Sequence, residues 1–136
     1  MEEYFIQWEE QDLEKLSEQD KSHLFLIVAG RKAIYIGFAF ELNLKEEIHN
    51  TLQNLDINES DALFWSGSIV ENIHTTINRQ VAEECMCLLV FEHQSVLNSI
   101  CLNEFHGRDT LKINNRGCPL LKESISADTP HIKMVG

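Results

Sequence analysis

Residues 33–40 read Ala33-Ile34-Tyr35-Ile36-Gly37-Phe38-Ala39-Phe40, and the reading of this run decides the fold. Aromatic and β-branched residues in close succession are strand formers, and a glycine inside such a run marks a bulge or a close approach. Immediately upstream, "HLFLIVAG" (23–30) is a second apolar run. Ala29-Gly30-Arg31-Lys32 joins the two as a hairpin, with Gly30 supplying the positive φ of the turn. Downstream, Asn43 precedes Leu44 and is followed three residues later by Glu46, the signature of a helix start. Leu44, Ile48, Leu52 and Leu55 then recur at helical spacing, which predicts a helix from 44 to 55.

Working outward, "ALFWSGSIV" (62–70) predicts a third strand, with Gly67 a point of bulge or close approach. From Glu71 the period changes. Ile73, Ile77, Val81, Cys85, Leu88 and Leu89 form one apolar stripe, predicting a long helix to Glu92. Towards the N-terminus, "EEQDLEKLSEQD" (9–20) places Leu13 and Leu16 on one side of a short polar helix. The C-terminal third is loop-rich, with a short strand at Thr110–Ile113, a turn at Asn115-Arg116-Gly117 and a tail over the last ten residues. The expected architecture is α+β: a small antiparallel three-stranded sheet, made of the hairpin plus one strand, flanked by helices. Residues 1–20 form an acidic N-terminal segment, 21–100 the core, and 101–136 an extension of the same domain.

The composition of the 136-residue chain is that of one globular domain, with 43% hydrophobic residues. No apolar run approaches the roughly 18 residues of a membrane span, and the acidic start "MEEYFIQWEEQ" is unlike a signal peptide. A cytoplasmic protein is expected, with no membrane association. In that compartment Cys85, Cys87, Cys101 and Cys118 would stay thiols. Cys85 and Cys87 lie about 200° apart on a helix, so they read as buried apolar filler and not as paired metal ligands. No H-x-x-x-H pair occurs among the histidines.

The net charge is −11, and it is uneven: residues 1–20 hold eight Asp and Glu against the single Lys15. Such a field repels nucleic acid unless a basic groove overcomes it. Arg31, Lys32, Arg108, Lys112 and Arg116 are dispersed and form no such cluster in the sequence. The acidic start is a solvated face that aids solubility or a docking surface for a basic partner. Tyr4, Phe5 and Trp8 in "YFIQW" are candidate anchors in a partner's pocket, with folding back onto the domain's own sheet as the alternative. Phosphate-binding glycine loops, nucleophile elbows and zinc-protease motifs are all absent.

The order of elements together with "YIG" at 35–37 resembles the GIY-YIG nuclease domain over residues 20–100. In that family a first tyrosine lies in the opening strand and a second in the "YIG" strand. An arginine follows eight residues after the second motif's glycine, with a histidine often four further on. A metal-binding glutamate lies on the next long helix, ahead of a Leu-Ile pair and a terminal Asn. Here Tyr35, Gly37, His49, Leu89-Val90 and Asn98 match that pattern. Three working positions are replaced: the first tyrosine by Phe25, the arginine by Lys45 and the glutamate by Met86.

Each replacement has a chemical meaning. Phe25 cannot pass a proton to an attacking water. Lys45 keeps a charge but lacks the planar fork that grips phosphate through two bonds. Met86 offers no oxygen to a hard Mg²⁺ ion. The resemblance therefore implies a catalytically inactive GIY-YIG-like domain, acting as a protein-interaction or regulatory module without cofactor and binding another protein with a basic surface. Two alternatives stand beside it. One is a divergent Mg²⁺-dependent DNA endonuclease using Tyr35, Lys45, His49 and, in place of the missing glutamate, Glu83. The other is an acidic DNA mimic that occupies the groove of a nuclease or restriction enzyme.

Overall fold

The computed structural model describes residues 2–71, 76–103, 105, 107 and 110–127. Six strands form one mixed sheet: β1 (Glu2–Gln11), β2 (Leu24–Ala29), β3 (Lys32–Phe38), β4 (Leu63–Ile69), β5 (Leu111–Arg116) and β6 (Ser124–Ser126). Among the described residues two α-helices, α1 (Leu44–Leu55) and α2 (Arg79–His93), accompany it. The strand order is β3-β2-β4-β1-β5-β6, antiparallel throughout except for the parallel pair β1–β5.

The expected hairpin is present, with Gly30 at φ +60° and Arg31 at φ +66° forming a two-residue turn of the kind that matches strand twist. Helix α1 begins where its cap predicts, Asn43 accepting from the Glu46 backbone N–H at 2.9 Å. Helix α2 is shorter than the apolar stripe suggested. It starts at Arg79, capped by Asn78, while Ile73 lies outside the described residues. Arg108 and the expected tail from residue 128 onward also lie outside them.

The three-stranded antiparallel sheet is overturned. The missing half is built from β1, β5 and β6, and β1 is an interior strand between β4 and β5. Residues 9–20 are correspondingly not a helix: they finish β1 and pass through a 3₁₀ turn at Leu13–Lys15. The reason is visible in the side chains. Tyr4, Ile6 and Trp8 alternate with exposed Glu3, Gln7 and Glu9, a period of two, and all three are buried on the face covered by α2. Gly67, opposite Trp8 in the register, is the close approach that the sequence suggested: a β-carbon there would lie 2.5 Å from the Trp8 ring.

Each face of the sheet has its own core. On one face α2 packs Val81, Ala82, Cys85, Leu88 and Leu89 over strand residues from β1 to β5. On the other face α1 packs Leu44, Ile48 and Leu52 over Phe25, Ile27 and Phe64, with Leu13 and Leu16 closing the end. That second cover stops short of β1 and β5. Their outer side is polar, with Lys112 paired to Glu3 at 3.3 Å and the Arg116 guanidinium over the Phe5 ring at 4.6 Å.

The expectation of four thiols is corrected as well. Cys87 and Cys101 are joined in a disulfide, while Cys85 and Cys118 are buried thiols. The C-x-C spacing does turn Cys85 into the core, where burial and the neighbouring Glu84 push its pKa up to about 12. Cys87 faces instead the segment after α2, which the helical spacing alone could not place.

Two histidines are held neutral inside the fold. His23 Nδ1 accepts from the Ile69 backbone N–H at 2.8 Å, and His93 Nε2 accepts from the Lys122 N–H at 3.0 Å. Burial lowers both pKa values, opposed at His23 by Glu71 and at His93 by its bond to the Leu89 carbonyl. A group with a lower pKa folded than unfolded binds fewer protons in the native state. Its contribution is therefore intact above the unfolded value of about 6.5 and is lost as pH falls through the folded one. Unfolding free energy should fall from pH 7 to pH 5. His23→Asn keeps an acceptor that does not titrate, so it should flatten part of that slope in urea titrations. An identical slope in the variant would exclude this origin.

Candidate functional site

Strand β3 is an edge of the sheet, and an edge strand leaves backbone groups unpaired on its outer side. The segment after α2 closes this edge. Helix α2 ends with Gln94 at φ +52°, its N–H bonded to the Val90 carbonyl, and the chain turns back along β3. Leu97 N–H donates to the Ile34 carbonyl at 2.9 Å. Asn98 then pairs its side-chain amide with the Ile36 peptide as a strand would. Its Oδ1 accepts from Ile36 N–H at 2.9 Å and its Nδ2 donates to Ile36 C=O at 2.8 Å. Ser95 Oγ donates to the same Oδ1 at 2.6 Å, fixing the amide's orientation. The Cys87–Cys101 disulfide anchors the far end of the segment to α2.

This closure creates a cavity of about 320 Å³ at the junction of β3, α1, α2 and the returning segment. Phe25, Tyr35, Met86 and Asn98 all line it. Four positions singled out by the GIY-YIG resemblance are thus brought together in space. The Phe25 and Tyr35 rings lie 6.0 Å apart on adjacent strands, and Phe25 lies over Gly37, where a β-carbon would sit 2.1 Å from the ring. Gly37 is therefore needed to admit Phe25. Burial, followed by the nearby Glu47 carboxylate, raises the Tyr35 pKa, so its phenol stays protonated at neutral pH.

The charged candidates are not in that cavity. Lys45 is half-buried on α1 but does not line it. His49, one turn further along, is exposed and lies 3.8 Å from the Glu59 carboxylate. Glu83 points to a neighbouring cavity of about 830 Å³ and is held by Arg79 at 2.9 Å. Mg²⁺ requires a set of oxygen ligands. A thioether at Met86 and a Glu83 carboxylate already engaged by a guanidinium do not make that set. Among the described residues no three His, Cys, Asp or Glu side chains converge as a metal site.

The "YFIQW" candidates lie elsewhere. Tyr4 and Trp8 are 7% and 1% exposed within the α2-side core, and Phe5 is half-buried beneath Arg116. None is an exposed anchor. Sequence reasoning missed instead the residues that complete the cavity: Phe38, Leu42 and Ile100. For Ile100 a faint signal was present, since "SVLNSI" (95–100) sets three large apolar residues in a short polar stretch after the helix. Val96, Leu97 and Ile100 are 73%, 37% and 55% exposed.

No described helix is long and apolar enough to cross a membrane. No protein-family model matches the chain, and neither a curated protein nor a solved structure matches it.

Proposed function

We propose that this chain is a non-catalytic protein-interaction domain, in which a hairpin and helix resembling those of GIY-YIG nucleases have been built into a larger sheet. One observation carries the reading: Phe25 and Met86 meet Tyr35 in a single cavity, where a nuclease would need a proton-transferring tyrosine and a carboxylate. Apolar groups at those two places favour binding over hydrolysis. The net charge of −11 favours a partner with basic character over nucleic acid.

The deciding experiment is calorimetric titration of Mg²⁺ and Mn²⁺ into the protein, beside cleavage assays on plasmid and branched DNA. Neither metal uptake nor cleavage is expected. Metal-dependent cleavage that disappears in Glu83→Gln would overturn the proposal and restore the endonuclease alternative.

A further inference from the structure

The segment from Gln94 to Cys101, which closes the outer edge of β3, owes little to burial. Its large apolar residues Val96, Leu97 and Ile100 are exposed, whereas Ser95, Asn98 and Cys101 are buried. It is neither helix nor strand. It is held by the Leu97 and Asn98 bonds to β3, by the Gln94 side chain on the Leu102 carbonyl at 2.7 Å, and by the Cys87–Cys101 disulfide. An irregular segment with few buried apolar contacts opens locally at far less cost than global unfolding.

The disulfide differs from the other holds in being reversible by chemistry. It joins residues 14 apart in sequence and so limits how far the segment can leave α2. Cys101 itself sits at φ +64°, in the left-handed region that a residue other than glycine rarely adopts. Cutting the bond frees Cys101 to leave that conformation. Among the described residues, both cysteines line the cavity of about 830 Å³ beside α2, which gives a small thiol a route to the bond. The other two cysteines do not compete for it. Burial, followed by the Glu84 carboxylate, pushes the Cys85 thiol up to about 12, and burial raises the Cys118 pKa as well, so neither is a thiolate at neutral pH.

We propose that the Cys87–Cys101 disulfide is a redox latch on the β3 edge, closed when oxidised and released by a dithiol, so that the outer backbone groups of Ile34 and Ile36 lose their cover. The step is thiol–disulfide exchange. A thiolate of the dithiol forms a mixed disulfide with one cysteine sulfur, and the other cysteine leaves as a thiolate and takes up a proton. The second thiol of the reductant then displaces the first cysteine. Two electrons pass to the protein disulfide, and the dithiol is oxidised to its own cyclic disulfide. Such a latch needs neither a partner protein nor the absence of cleavage, so it stands apart from the functional reading above.

Hydrogen exchange on the folded chain, oxidised and then treated with excess dithiothreitol, tests the latch. Alkylation after denaturation should count two thiols before treatment and four after it. The Ile36 and Leu97 amides should then exchange about tenfold or more faster, with amides in β1 and β5 changed by less than about twofold. Reoxidation should restore protection, and Cys101→Ser should show the reduced pattern without any reductant. A bond that resists the dithiol in the folded chain would overturn the proposal. So would unchanged Ile36 exchange in the reduced chain or in Cys101→Ser, protection that does not return on reoxidation, or an equal acceleration in β1 and β5, which marks a loss of global stability.

Discussion

Trp8→Ala should lower unfolding free energy by about 3–5 kcal/mol, a large part of the roughly 5–15 kcal/mol that stabilises a domain of this kind. The Trp8 ring is 1% exposed and fills the space over Gly67, where no side chain can take its place. Its Nε1–H donates to Asn115 Oδ1 at 2.9 Å, a buried bond joining β1 to β5. Truncation opens a cavity between two strands that are themselves held by long-range pairing, and it leaves the Asn115 oxygen without that donor. A fall in Tm of more than about 10 °C is expected by circular dichroism. Trp8→Phe separates the two contributions. It keeps most of the ring volume and loses the indole N–H, so its cost should be nearer the 1–3 kcal/mol of one unsatisfied buried acceptor. A loss below about 1 kcal/mol for Trp8→Ala would mean that β1 is not a core strand. Residues 1–20 would then again be candidates for a free docking segment.

Asn98→Ala should have the second largest effect and a more local one. The wild-type amide satisfies both the N–H and the C=O of Ile36 and is 6% exposed. Alanine leaves two backbone groups at the sheet edge without partners, at about 1–3 kcal/mol each where water cannot reach them. Loosening of the segment readmits water and limits the total to about 2–4 kcal/mol. Hydrogen exchange reads this directly: the Ile36 amide should exchange at least about tenfold faster, with amides in β1 and β5 much less affected. Asn98→Asp retains an acceptor for Ile36 N–H but sets a carboxylate against the Ile36 carbonyl, and should not restore protection. Unchanged exchange at Ile36 would show that the edge is closed by other means.

The elements that could be read from the chain are those with local causes. The β2–β3 turn needs positive φ at Gly30, α1 needs a cap at Asn43, and the Ile77–Leu89 stripe needs a helix. Each depends on residues within a few positions of one another. β1 was legible in principle, because Tyr4, Ile6 and Trp8 alternate, but the dense carboxylates around them drew the reading towards a solvated face. Alternation identifies a strand without naming its neighbours. The pairing of Tyr4 with Ile113 spans more than a hundred residues and rests on burial of both beneath α2. Nothing in a six-residue window encodes that.

The site divides along the same line. Phe25, Tyr35, Met86 and Asn98 were picked out by spacing, and their convergence in one cavity reflects adjacent strands and a helix crossing over them. Lys45 and His49, picked out by spacing, and Glu83, the substitute for the missing glutamate, lie outside that cavity, because a helical residue's direction depends on how its helix is rotated against the sheet. The sequence by itself determined the acidic charge, the hairpin, the two helices and the absence of an oxygen ligand at position 86. Only the tertiary structure decided that the sheet has six strands, that Trp8 is core, that Cys87 meets Cys101 and that Asn98 closes the edge of β3. Charge and turn chemistry belong to single residues and near neighbours. Sheet order, disulfide pairing and edge closure belong to contacts that exist only once the chain has buried its two cores.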